Sequence, residues 1–236
     1  MLKILSYNIE WGKKLEEAGE WIMSLDPKPD ILCLQEIPNR RGAFLNELLE
    51  TNGYAYNFAP SFTKNGVTYG ELTAFKKEKM SLILAQVVDL GTNFISKIIS
   101  RHNSKWRSLI SVVRFGKKNF IVVNVHLLPQ ALNGRRRKQL DIAIEALNIL
   151  NFLKLPTIIV GDYNYSSIIG RGGLIKFMAT HGFKIGGKKK IITHKKFRIP
   201  HQLDYVFFRN CKVTNITSER VKFSDHYPIF FNLELD

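Results

Sequence analysis

Short apolar runs alternate with amphipathic stretches along the whole chain. Leu2–Asn8 reads as a strand, and Lys14–Leu25 as a helix with Leu15, Ala18, Trp21, Ile22 and Leu25 on its apolar side. Pro27 and Pro29 break that helix, and Asp30–Gln35 reads as a buried strand. Gly42–Thr51 predicts a second helix, stopped by Asn52-Gly53. Extended segments follow at Tyr54–Phe58, Val67–Phe75, Met80–Leu90, Arg107–Phe115 and Asn119–Leu127. Arg135–Leu153 is the longest helical pattern, Pro156–Val160 a further apolar strand, and Gly170–His181 a last helix. Strands return at Leu203–Phe208, Cys211–Ile216 and Ile229–Leu235. Too many consecutive strands occur for a pure βαβ repeat, so the pattern predicts a mixed α/β or α+β sandwich. No linker, repeat or low-complexity tract interrupts it, which predicts one domain over residues 1–236.

The polar residues inside this pattern are concentrated at strand ends. Leu2–Tyr7 runs into Asn8, Ile31–Leu34 into Gln35-Glu36, and Ile121–Val123 into Asn124-Val125-His126. Ile158–Val160 stops at Gly161-Asp162-Tyr163-Asn164, Asp204 opens the run Asp204–Val206, and Ser224-Asp225-His226 precedes the last strand. One rim of a sheet commonly gathers such ends, and ligands bind there. Taken singly, each has an ordinary structural explanation: an Asx turn at Asp162, a capped turn at Ser224, a satisfied core histidine at His126. Together they form two metal-grade carboxylates, an Asp-x-Asn and an acid–histidine pair.

The ordered set Asn8, Gln35-Glu36, Asn124-Val125-His126, Gly161-Asp162-x-Asn164, Leu203-Asp204-Tyr205 and Ser224-Asp225-His226 resembles the endonuclease/exonuclease/phosphatase superfamily, end to end. The resemblance implies a four-layer sandwich of two central β-sheets flanked by helices. It also implies Mg²⁺-dependent phosphoester hydrolysis, with Mn²⁺ as a substitute. By the same resemblance Glu36, Asn8 and Asp225 hold the metal, and Asp162 orients or deprotonates the attacking water. Asn164 then holds phosphate or Asp162, His226 donates to a phosphate oxygen with Asp204 fixing its tautomer, and His126 supplies a second phosphate contact. These residue types suit the chemistry independently. A charged phosphoester repels hydroxide, so it needs a hard cation, a placed water and a proton donor. Abasic-site endonucleases usually carry Trp-Arg-Leu-Asp-Tyr where this chain has His201-Gln202-Leu203-Asp204-Tyr205, so the aromatic wall of an abasic pocket is missing there.

Charge then narrows the substrate. Of 236 residues, 35 are Lys or Arg against 20 Asp or Glu, a formal charge of +15 that attracts polyanions. Lys184–Arg198 contains Lys188, Lys189 and Lys190 and no acid, predicting a basic hairpin beside the site. Arg101, Lys105, Trp106 and Arg107 pair an aromatic with cations as strand-tracking surfaces do, and Arg135–Lys138 opens the long helix. These residues predict a Mg²⁺-dependent phosphodiesterase acting on nucleic acid, DNA foremost, as an endonuclease or exonuclease. Its rivals are a phosphatase or phospholipase of the same fold acting on a phosphorylated lipid, sugar or nucleotide, and a non-catalytic nucleic-acid-binding module. No apolar run reaches about 18 residues, the N-terminus reads as no signal peptide, and the two cysteines favour a reducing, cytoplasmic setting.

Overall fold

The computed structural model describes residues 1–39, 42–91, 105–129, 131–152, 154–165, 168–187, 189–196 and 199–235. Two six-stranded sheets lie face to face. The first contains β1 (Leu2–Asn8), β2 (Ile31–Pro38), β3 (Tyr54–Lys64), β4 (Val67–Lys76), β13 (Lys212–Ser218) and β14 (Ile229–Glu234), in the order β13-β14-β1-β2-β4-β3. The second contains β5 (Met80–Asp89), β6 (Arg107–Phe115), β7 (Lys118–His126), β8 (Thr157–Asp162), β9 (Lys184–Ile185) and β12 (Asp204–Arg209), in the order β5-β6-β7-β8-β12-β9. A small hairpin, β10 (His194–Lys196) with β11 (Ile199–His201), stands apart. Helices α1 (Leu15–Ser24) and α2 (Gly42–Thr51) cover the first sheet, and α3 (Asn133–Ile149) and α4 (Ile168–Thr180) the second. This is the expected four-layer α+β sandwich.

The apolar spacing accounts for the layers. Along β1, Leu2 and Ile4 face the partner sheet and join Cys33, Val122, Val160, Val206 and Phe231 between the sheets, whereas Leu5 and Tyr7 face α1 and α2. β2, β7 and β8 are covered on both faces, which is why each reads as a near-continuous apolar run. Leu140, Ala143, Ile144 and Leu147 recur at helical spacing along α3 and pack on the second sheet with Leu174 and Met178 of α4. That helix stops short of the expected Leu153 because Asn151 takes φ 57°, with the Phe152 amide turned back to Leu147 O. β3 runs past Phe58 to Lys64 because β4 keeps pairing with it as far as Val67.

Two crossover units position the chemistry. β1 and β2 run parallel through the α1 crossover, and β7 and β8 run parallel through α3. The C-terminal ends of all four strands meet at one rim, one pair from each sheet.

Candidate active site

Register places the acids and histidines before any side-chain packing does. In the second sheet His126 pairs with Asp162, and Asp162 pairs with Asp204, so three adjacent strands deliver one such residue each. Each lies two residues from an inward-facing position (Asn124, Val160 and Val206), so all three project into the space between the sheets. In the first sheet Asn8 pairs with Gln35, both on the inward parity. Glu36 by parity would face the helices. A one-residue bulge against β4, between the pairs Leu34–Leu72 and Ile37–Gly70, reverses that. Glu36 sits there at φ 60°, so its carboxylate enters the site and Ile37 returns to the helix side.

Buried amides hold the bulge. Asn124 reaches across from β7 and donates Nδ2 to Leu34 O at 3.1 Å and Leu72 O at 3.0 Å, while its Oδ1 accepts from Gln35 Nε2 at 2.8 Å. Glycine is required at residue 161, because a Cβ there would lie 2.0 Å from Val125 O and φ is +138°.

The polar centre is compact. Asn8 Nδ2 donates to Glu36 Oε1 at 3.1 Å and Asp162 Oδ2 at 3.2 Å, and the Trp11 amide donates to Glu36 Oε2 at 2.8 Å. Asn8 Oδ1 accepts from the Glu10 amide, so in this arrangement Asn8 positions the carboxylates with its N–H groups. The Asn164 amide donates to Asp162 Oδ1 at 2.8 Å, and its side chain donates to Leu127 O. His226 Nδ1 lies 2.9 Å from Asp204 Oδ2, and its Nε2 lies 3.7 Å from Asp162 Oδ2. Ser224 Oγ ties this loop to β1 by donating to Asn8 O at 2.7 Å. Thr193 Oγ accepts from the Leu203 and Asp204 amides, fixing Asp204.

Burial and charge push these groups apart in acidity. Burial raises Asp162 to about 7, with the Asp204 and Glu36 charges adding to the rise and His226 opposing it. Burial raises Glu36 as well, offset in part by the Asn8 hydrogen bond. Burial would lower His226, but Asp204 and then Asp162 overcome it and hold the imidazolium up to about 10. No carboxylate lies as close to His126 as Asp204 does to His226. Burial, then the His226 charge, take it down to about 3, so this ring is neutral beside Glu36 and Asp162, 3.6 Å from each. Burial alone would raise Asp225, yet His194 and His226 bring it below the usual carboxylate range.

All five expected catalytic residues (His126, Asp162, Asn164, Asp204 and His226) come together, and Glu36 and Asp225 line the same cleft of about 510 Å³. The carboxylates Glu36, Asp162 and Asp225 make an oxygen-rich donor set, and Glu36 and Asp162, buried and with their pKa values raised, fit a hard cation. The expected strand-tracking surface is built differently. Trp106 is buried, stacked on Phe62 with centroids 4.8 Å apart and edge-on to His126, where it walls the cleft. Arg107 donates its guanidinium to Pro60 O at 2.7 Å, bracing β3. Lys105, Lys189 and Lys190 are exposed, and Arg101 and Lys188 lie outside the described residues.

Three residues are not singled out by the sequence. Arg136, part of a basic cluster by sequence, is buried and clamps the loop after β7 through Leu128 O, Pro129 O and Asn133 Oδ1. Glu71 is fully buried on the inward face of β4, its carboxyl driven well above the usual range by burial and offset in part by Ser61 and Arg107. His194, on the hairpin, faces Asp225 across 3.4 Å. Period-two alternation places Glu71 on the same face as Thr73 and Phe75, and that is its one available signal.

A profile described as the endonuclease/exonuclease/phosphatase family matches residues 5–226. Among solved structures, the chain is similar to an endonuclease/exonuclease/phosphatase from Bacteroides vulgatus, with TM-score 0.78, 17% identity, and coverage of 100% of this chain and 99% of that one. It is similar to the human Nocturnin catalytic domain, with TM-score 0.75, 18% identity, and coverage of 100% and 94%. It is also similar to ANGEL2, a 2′,3′-cyclic phosphatase, with TM-score 0.78, 16% identity, and coverage of 99% and 95%. No curated protein sequence matches the chain.

Proposed function

Since the chain belongs to the endonuclease/exonuclease/phosphatase family, a family of phosphoric ester hydrolases, we propose that it is a Mg²⁺-dependent phosphodiesterase acting on nucleic acid, DNA foremost. The observation that carries this reading is the line Asp204–His226–Asp162. It offers a protonated imidazole beside a carboxylate poised near neutrality in one water-accessible cleft. His226 donates from Nε2 to a phosphate oxygen, and Asp204 keeps the proton on Nδ1. Asp162, raised to about 7, takes a proton from the attacking water near physiological pH. Asn164 holds the Asp162 carboxylate from its amide, and neutral His126 offers a second contact to the phosphate. Glu36 and Asp225 would hold Mg²⁺, with Asn8 steadying Glu36 through its N–H, and the ion when bound neutralises charge on the phosphate and leaving oxygen.

The formal charge of +15 supports a polyanionic substrate, and the exposed Lys189 and Lys190 are free to meet its backbone. Cys33 and Cys211 are both free thiols, and no described helix is long and apolar enough to cross a membrane. The test is a substrate panel under Mg²⁺, Mn²⁺ or EDTA: plasmid DNA, abasic duplex, single-stranded RNA, a 2′,3′-cyclic nucleotide and phosphoinositides. Cleavage of DNA that EDTA abolishes is the expected result. Turnover confined to the cyclic nucleotide or the lipids would refute the polymer assignment, and unaltered cleavage in EDTA would refute the metal.

A further inference from the structure

One wall of the cleft holds a histidine, His194, that the hydrolytic reading does not use. β10 and β11 pair His194 with His201, and an isolated bridge joins His194 to His226. His194 is 6% exposed, its ring stands edge-on to that of His226 with centroids 4.7 Å apart, and its Nε2 lies 3.4 Å from Asp225 Oδ2. Its Nδ1 meets no hydrogen-bond partner among the described residues. One ligand atom from each of His194, Asp225 and His226 falls within 4.8 Å of the other two.

We propose that His194, Asp225 and His226 bind a borderline transition-metal ion, Zn²⁺ foremost, and that its occupation silences the hydrolytic centre. The silencing rests on the phosphodiesterase reading above; the ion site does not. Two imidazoles and one carboxylate favour Zn²⁺ or Co²⁺ over Mg²⁺, which prefers oxygen throughout. Ligands about 2.0–2.2 Å from a tetrahedral ion stand roughly 3.4 Å apart, the separation His194 and Asp225 already have. The Asp225 side chain is 44% exposed, so its rotation can close the remaining gap to His226. Because His226 has Nδ1 on Asp204, Nε2 is the nitrogen left to ligate, its proton released to solvent as the ion binds, and Asp204 is the outer carboxylate that orients a metal-bound imidazole. All three residues line the cleft, so the fourth position opens to solvent. An Nε2 that ligates an ion has no proton for a phosphate oxygen. Asp225 is likewise withdrawn from the Mg²⁺ side. Zinc and turnover are therefore alternatives in one place.

The experiment titrates chelator-stripped full-length protein with ZnCl₂ and CoCl₂ by calorimetry in the absence of Mg²⁺, with visible Co²⁺ absorption as the signature of nitrogen ligation. His194→Gln and His194→Phe are measured beside the wild type, each checked by circular dichroism; His194→Gln preserves polarity if the Phe variant fails to fold. One equivalent binds to the wild type, and affinity falls about 10-fold or more in a folded variant, the scale for losing part of a ligand shell. Zinc inhibition, taken relative to each protein's own zinc-free rate with Mg²⁺, weakens by a similar factor. Equal zinc and cobalt binding in wild type and variants overturns the site. Binding that leaves hydrolysis untouched overturns the silencing. A wild type that hydrolyses nothing with Mg²⁺ overturns the phosphodiesterase reading, while the calorimetry still decides the ion site.

Discussion

Asp204→Asn changes one atom and removes the charge 2.9 Å from His226 Nδ1. In the intact site His226 is raised from 6.5 to about 10 although burial opposes the rise. That is roughly 5 kcal/mol in favour of the imidazolium, at about 1.36 kcal/mol per decade of acidity. Asp204 is foremost among the groups that raise it, ahead of Asp162 and Asp225, so its loss should bring His226 down toward its ordinary value. At about pH 8 the variant imidazole is then largely neutral, and kcat should fall by about 10² or more, the scale for losing one preorganised catalytic group. At about pH 6 part of that loss returns, because the ring is again partly protonated. Stability follows the same group. A histidine raised on folding stabilises fully below 6.5, and that contribution disappears as pH rises through about 10. The wild type should therefore exceed the variant in unfolding free energy most at about pH 6, with the gap closing toward about pH 10. Single-turnover rates across pH, the carbon-labelled His226 titration by NMR, and urea unfolding at three pH values measure each part. Parallel pH–rate profiles, or an unmoved His226 midpoint, would refute the reasoning.

Glu36→Gln keeps the shape of the bulge residue and removes its charge, so Mg²⁺ affinity should weaken and turnover collapse with folding intact; calorimetry with Mg²⁺ beside the cleavage rate checks this, and retained turnover at limiting Mg²⁺ counts against Glu36 as a ligand. Asn124→Ala removes the donor to the buried Leu34 and Leu72 carbonyls, while Gln35 Nε2 keeps Cys33 O as an acceptor. At about 1–3 kcal/mol for each of the two unsatisfied carbonyls, a loss of roughly 2–6 kcal/mol is expected by denaturant unfolding, and a loss under about 1 kcal/mol would mean the sheets do not depend on that link. Changing Lys188, Lys189 and Lys190 together to Ala should weaken duplex binding alike across unrelated sequences, and flatten the log–log salt slope by about one for each phosphate no longer neutralised. A small nitrophenyl diester should be hydrolysed at nearly the wild-type rate; an unchanged salt slope would leave these lysines as a solvated loop.

How far the sequence is legible follows from how local each cause is. Asn8, His126, Asp162 and Asp204 end or begin apolar runs, and a strand end is a local signal. Their meeting at one rim then needs only strand order. Glu36 stands out from its neighbours, but its inward aim depends on a bulge that β4 imposes and that no alternation within β2 reveals. Glu71 sits in mid-strand with no such marker. Trp106 and Arg107 look like a surface aromatic beside cations, yet Phe62 and Pro60 from β3 draw both inward. The hairpin that carries His194 reads only as basic, because its bridge to His226 spans residues far apart in sequence.

The pairing of β1 with β14 sets Leu2 opposite Leu233, the first strand against the last. During synthesis β1 can pair early with β2 on one edge, but its other edge waits until the segment at 229–234 has emerged. The stretch just ahead of that strand delivers Ser224, Asp225 and His226, with Ser224 anchoring on Asn8 O as the sheet closes. Closure of this ladder and assembly of the reacting groups are thus one late event. A growing chain carries Glu36 and Asp162 long before His226 arrives, and any stop before His226 leaves a nascent protein without the line from Asp204 to Asp162.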